Sequence, residues 1–167
     1  LKAEAQEFPT HLDFYSWKRT VEDRDVALFV KTRAEKVLAC KSKSATFYCH
    51  RSGYYTPKVS PDNRKRELKI QGSSKIDGYC PARMKTIFHD DGRVLVEYCA
   101  THVGHKNELA QLHLHSDERK EIATKIAMKV SYDEILTNVR SSVTKEELKR
   151  KHLITKHDLY NIEREFF

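Results

Sequence analysis

The sequence predicts an α+β protein, with a first half built around β-strands and a short all-helical segment after it. Three observations predict it. Residues 26–33, 45–51, 77–89 and 93–99 are rich in β-branched and aromatic side chains and read as extended. Asp90-Asp91-Gly92 supplies hairpin-turn chemistry between the last two of these stretches. Beyond His115 the apolar spacing becomes helical, and Ser/Thr-x-x-Asp/Glu caps recur.

Each element has its own warrant. Thr10 is a suitable N-cap, with Leu12, Phe14, Trp17 and Val21 at helical spacing behind it, which predicts a helix over about 11–22. In the strand at 26–33, Val26, Leu28 and Val30 are expected to face a core while Phe29, Lys31 and Arg33 face out. Alternation puts Ala45, Phe47 and Cys49 on one face of the next strand. Ser52-Gly53 and Ser60-Pro61-Asp62-Asn63 mark turns around a long basic loop ending near Lys69. Cys80, Ala82 and Met84 form the less polar face of the third strand, with Arg83 and Lys85 pointing away. In the fourth, Val94, Val96 and Tyr98 face inward, which sets Cys99 on the opposite side.

The helical part begins with Ser116 as a cap and Ile122, Ile126 and Val130 four residues apart. Ser131-x-x-Glu134 and Thr144-x-x-Glu147 are capping boxes, and Thr155-x-x-Asp158 opens a last helix with Leu159 and Ile162 inward. The change of character predicts two domains, 1–115 and 116–167.

Charge and cysteine content narrow the function. Residues 26–85 carry 14 Lys/Arg against 4 Asp/Glu, whereas the rest carries 17 against 20. A basic segment beside a slightly acidic remainder predicts a polyanion-binding face, since neutralised phosphates release counterions. No apolar run approaches the roughly 20 residues that span a bilayer, and no secretory leader follows Leu1. A cytosolic or nuclear protein with no membrane partner is expected. The chain starts without Met and reads as a piece of a larger protein. Four cysteines and nine histidines in a reducing compartment point to metal binding rather than disulfides.

The metal signal is Phe47-Tyr48-Cys49, Gly78-Tyr79-Cys80 and Thr101-His102-Val103-Gly104-His105, or C-x30-C-x21-H-x2-H. Thiolate and imidazole are the usual ligands of tetrahedral zinc (Zn2+), and four protein ligands leave no open position for catalysis. The inward phase of Cys49 and Cys80 selects them, with His102 and His105 completing the set. A set including Cys99, through Cys99-x2-His102-x2-His105, is an alternative. Another is that the cysteines are small buried hydrophobes and bind no metal. Cys40 has no assigned role.

Strand, F-Y-C, basic loop, G-Y-C-P-A, hairpin and H-x2-H together resemble the WRKY and glial-cells-missing zinc-finger superfamily. Over residues 8–110 the resemblance is nearest to the far-red-impaired-response and FLYWCH-type domains of Mutator-like transposases and the transcription factors derived from them. The resemblance implies a zinc-stapled, four-stranded antiparallel sheet that binds double-stranded DNA in the nucleus. In relatives a strand ahead of the first cysteine enters the major groove; here that stretch is 29–36, with Phe29, Lys31, Arg33 and Lys36 as the candidate contacts. The W-R-K-Y-G-Q-K heptad is missing, so no target sequence carries over, and H-x2-H stands where many relatives have H-x-H. In the loop Arg64-Lys65-Arg66-Glu67-Leu68-Lys69, the cations Arg64, Lys65, Arg66 and Lys69 are expected to hold phosphates rather than read bases.

Competing classes are weaker. His102, His105 and Asn107 near a strand pair suggest a ββα-metal nuclease, but cysteine ligands would close the metal such a site needs open. No DDE-type catalytic core can be assembled from these residues, so the chain is not expected to be an enzyme. The helical segment is expected either to assemble homo-oligomers or to form a helix-turn-helix with 155–165 as its recognition helix. Asp158, Glu163 and Glu165 on that helix favour assembly.

Overall fold

The computed structural model describes residues 3–57, 72–143 and 148–167. The expected α+β class holds: a six-stranded antiparallel sheet, a helix after its first strand, and a helical segment at the C-terminal end. The chain divides into two compact units, Leu1–Asn107 and Glu108–Phe167. The division falls ahead of the composition change at 115 because Leu114 is already buried in the core of the helical unit.

The first unit contains β1 (Glu4–Phe8), α1 (His11–Asp25), β2 (Phe29–Lys31), β3 (Lys36–Val37), β4 (Lys43–Cys49), β5 (Arg83–Phe88) and β6 (Val94–Cys99). The sheet order is β1-β6-β5-β4-β2, and β3 also pairs with β4. Because β2 pairs with 47–49 of β4 and β3 with 43–44, the two short strands form one interrupted edge. β1, which has too little apolar alternation to mark it in the sequence, covers the other edge by pairing with β6.

Helix α1 starts where expected: the Thr10 hydroxyl accepts the Asp13 N–H at 3.1 Å. It runs beyond residue 22 and stops at Val26, whose φ of 48° is left-handed, a costly conformation for a β-branched residue. Glu22 explains the stop. Its buried carboxylate takes the Lys18 ammonium and the Phe29 N–H, each at 2.6 Å, and so clamps the chain leaving the helix.

That clamp overturns one expectation. The strand expected over 26–33 is only 29–31, and Phe29 points inward, 2% exposed, opposite Cys49. The reversal at Val26 breaks the alternation: Phe29 takes the inner face, Leu28 is buried as expected, and Val26 and Val30 are only half-buried. The other expected faces hold: Ala45, Phe47, Cys49, Cys80, Ala82, Met84, Val94, Val96 and Tyr98 are all buried. The stretch expected as strand over 77–89 is regular only at 83–88.

The inner face packs against α1 through aromatic rings. Phe14, fully buried, meets Phe88 at 5.7 Å and Phe47 at 5.9 Å between centroids. Trp17 stacks obliquely on Phe8 at 5.1 Å and meets Tyr98 edge-on at 5.5 Å. Burying a ring of this size contributes about 1.5–3 kcal/mol, so this cluster supplies much of the unit's cohesion. The hairpin turn closes as expected, with the His89 N–H on Arg93 O (2.9 Å) and Gly92 at φ 92°.

The second unit contains α2 (Ser116–Ala127), α3 (Tyr132–Ser141), a 3-10 turn at Arg150–Leu153 and α4 (Lys156–Phe166). Its core is formed by Leu114, Ile122, Ala123, Ile126, Ile135, Leu136, Val139, Ile154, Leu159 and Ile162. Ser131 caps α3, and Thr155 with Asp158 closes a reciprocal box on α4. Helix α2 is capped one residue early: His115 occupies the cap and its N–H donates to Glu118 at 3.0 Å. The box at Thr144 and Glu147 lies outside the described residues.

Candidate metal centre

Three separate segments deliver four donors to one end of the sheet. Cys49 is the last residue of β4, anchored by its N–H on Ala82 O at 3.1 Å. The chain then turns back, with Ser52 N–H on Cys49 O at 2.9 Å, and the backbone N–H groups of Arg51 and Ser52 face the Cys49 sulfur. Such donors favour thiolate over thiol. Cys80 precedes β5; its N–H donates to the Ser52 hydroxyl at 3.0 Å, and Gly53 bridges Gly78. Lys75 secures the same turn by donating to the carbonyls of His50 and Ser52, both at 2.9 Å.

His102 and His105 come from the segment after β6. Gly104 between them has φ 84°, and a β-carbon there would meet Ile76 at 3.3 Å. A glycine is therefore needed to turn both rings the same way. Asn107 ties the end of this segment to α1 by donating to Asp25 O at 2.6 Å.

The donor atoms of Cys49, Cys80, His102 and His105 all lie within 4.8 Å of one another. His105 Nε2 is 3.4 Å from Cys49 Sγ and 3.3 Å from Cys80 Sγ, and His102 Nδ1 is 3.5 Å from Cys80 Sγ. Bonds of about 2.3 Å to sulfur and about 2.0–2.1 Å to nitrogen, set at tetrahedral angles, require donor separations of roughly 3.3–3.8 Å. The three separations meet that requirement, so the residues fit a tetrahedral cation.

Tautomers agree. His105 Nδ1 lies 3.1 Å from Lys106 O and must donate to it, leaving Nε2 as the lone pair that faces both sulfurs. Burial and the neighbouring His105 hold His102 below the usual imidazole range, which keeps its ring neutral and able to coordinate. His102 Nε2 is buried with no hydrogen-bond partner among the described residues. Burial, with Cys80 adding to it, pushes the Cys49 thiol up to about 11. A bound cation reverses that preference, because it deprotonates the thiol it coordinates. The Asp25 carboxylate adds negative charge nearby; it accepts from Arg24 (2.6 Å) and Tyr98 (2.7 Å), with Arg24 holding it below its ordinary range.

Four protein donors fill a tetrahedral shell, and the chemistry available to the group is cross-linking of the three segments. Cys99 does not join it. Its side chain is buried on the opposite face, across from Arg83. Cys40 is exposed in the turn between β3 and β4. Ser52 and Lys75, which brace the cysteine turn, were not singled out by the sequence, because nothing local marks a hydrogen bond spanning more than twenty residues.

The candidate DNA contacts separate. Lys31, Arg33 and Lys36 are exposed along the edge formed by β2 and β3, whereas Phe29 lies in the core, 6.0 Å from the His102 ring. Lys31 pairs with Glu35 at 2.9 Å, an exposed contact that contributes little. Lys41, in the turn that follows β3, and Lys43, the first residue of β4, are also exposed. Arg64, Lys65, Arg66 and Lys69 lie outside the described residues. Among the described residues no helix is long and apolar enough to cross a membrane. No protein-family model, curated protein or solved structure matches this chain.

Proposed function

We propose that the sheet unit is a zinc-stapled module of the WRKY and glial-cells-missing type that binds double-stranded DNA. It would serve a Mutator-like transposase, or a transcription factor derived from one, in the nucleus. The observation that carries the reading is the interrupted edge made by β2 and β3, with the turn that leads from it into β4. Lys31, Arg33, Lys36, Lys41 and Lys43 are all exposed there, with Glu35 as the one carboxylate in residues 26–49. A cation row on a sheet edge suits a phosphate backbone, and Arg33 brings a planar fork that matches guanine. The four donors support the reading by fixing β4, β5 and β6 at one end, so that the edge is presented as a rigid surface. Phe29, being buried, is not a contact.

The test is selection of bound duplexes from a random pool by the whole chain, with zinc measured on the same sample. Enrichment of one sequence family, one zinc per chain, and affinity falling with salt at a slope of about −0.9 per phosphate contacted is the expected result. Retention of DNA without enrichment, or enrichment unaffected by removing zinc, would refute it.

A further inference from the structure

We infer that α4 is a second DNA-reading element, a helix whose exposed face enters the major groove. The inference takes duplex DNA as the ligand from the reading above, but it assigns a separate contact in the other unit. Lys156, His157, Tyr160, Asn161 and Arg164 are the exposed residues concerned. At 3.6 residues per turn they fall within an arc of about 140°, on the side away from Leu159 and Ile162, which are fully buried. Over about 12 Å of helix, roughly three to four base-pair steps, every side chain in that arc can hydrogen-bond.

The acids on this helix had argued against groove insertion, and the structure places them elsewhere. Asp158 accepts from the Thr155 N–H at 2.9 Å and lies 3.6 Å from Arg150. Glu163 accepts the Tyr132 hydroxyl at 2.5 Å, and Glu165 pairs with Arg119. All three are tied back into the helical unit on the flanks of the helix. Lys156 pairs with Asp133 at 2.7 Å, but both side chains are more than 60% exposed, and phosphate can displace such a contact.

What remains on the arc is the donor and acceptor set that reads bases. The fork of Arg164 suits guanine O6 and N7, and the amide of Asn161 suits adenine N6 and N7. Lys156, at the start of the helix, is placed for a phosphate. A protein partner is the poorer fit, because the core of a protein interface is apolar or aromatic, and this arc of α4 holds no aliphatic residue, its two rings, His157 and Tyr160, each carrying a hydrogen-bonding group.

The experiment compares sequences selected by the full chain, by Asn161→Ala/Arg164→Ala and by Arg33→Ala/Lys36→Ala, with helix content by circular dichroism and zinc measured for each. The α4 double variant should lose preference over a block of two to four base pairs distinct from the block that the edge variant no longer reads. Its affinity for the preferred site should fall roughly tenfold or more for each bidentate pair removed, with helix content and zinc unchanged. Arg164→Lys should lose the guanine preference while keeping the salt slope, because the charge stays and the fork goes. An unchanged selected sequence from the α4 variant, with the edge variant altered, overturns this inference and leaves the sheet reading standing. The reverse pattern overturns the sheet reading and supports the helix. No enrichment by the wild type overturns both. A dimer of the wild type that the α4 variant cannot form would instead make the arc an assembly surface and overturn the inference.

Discussion

Replacing Cys49 with alanine removes a sulfur that is 1% exposed and 3.4 Å from His105 Nε2, and the two roles open to that sulfur predict very different costs. As a small core side chain it resembles a one-methyl truncation, which costs about 0.5–1.5 kcal/mol. As a ligand it couples folding to the metal, whose apparent binding free energy in structural zinc sites is about 10–16 kcal/mol. A domain's whole stability is about 5–15 kcal/mol, so losing the ligand should unfold the sheet unit outright. The expected outcome is zinc well below one per chain by elemental analysis, and loss of the β-sheet signal in circular dichroism. The ellipticity of α2, α3 and α4, which pack on their own core, should persist. Cys99→Ala is the control, since Cys99 is 5% exposed but stands outside the donor cluster. It should keep the metal and cost on the order of 1 kcal/mol. Full zinc in Cys49→Ala, with an unfolding midpoint close to that of Cys99→Ala, would refute the ligand assignment.

Phe29→Ala should destabilise the sheet unit by about 3–5 kcal/mol in a denaturant titration, because the ring is buried against Tyr98 at 5.8 Å. Base preference of the protein that remains folded should not change. Arg33→Ala should cost about 1–3 kcal/mol on the preferred duplex and little on random DNA, whereas equal losses on both would reduce Arg33 to a phosphate contact. Asp25 has its folded-state pKa depressed, first by the hydrogen bond from Arg24. Its contribution is therefore present above the unfolded carboxylate value of about 3.9 and is lost as pH falls through the lower folded value. Asp25→Asn should lower the melting temperature at neutral pH, with the gap to wild type closing in acid; a gap that widened in acid would contradict the sign.

Much of the candidate centre was legible because its cues are local and periodic. Cys49 and Cys80 each sit in a run whose alternate residues are apolar, and that phase alone aims both sulfurs inward. The His pair is close in sequence, and the caps at Ser131 and Thr155 need only three residues each. Other features depend on contacts no local window contains. The phase of β2 follows from Glu22 gripping the Phe29 N–H, so counting from Val26 put Phe29 outside. β1 is Glu-Ala-Gln-Glu-Phe, a largely exposed edge strand with almost nothing to alternate, and only its pairing with β6 identifies it. Glu163 and Glu165 tilt the sequence reading of α4 towards assembly because their partners, Tyr132 and Arg119, lie on other helices.

Trp17 is the sole indole of the chain, and it lies in the aromatic cluster between Phe8 and Tyr98. Its emission is therefore a reporter for the sheet unit alone, and the helical unit is silent in that channel. Far-UV ellipticity sums both units. Melts followed by the two signals will superimpose if the units unfold together, and will part if each keeps its own equilibrium. Because Tyr98 also contacts Phe29, which faces the His102 ring, the indole sits two rings from the donor cluster. If the cluster holds a metal, its withdrawal by a chelator would thus be timed optically in the unlabelled protein.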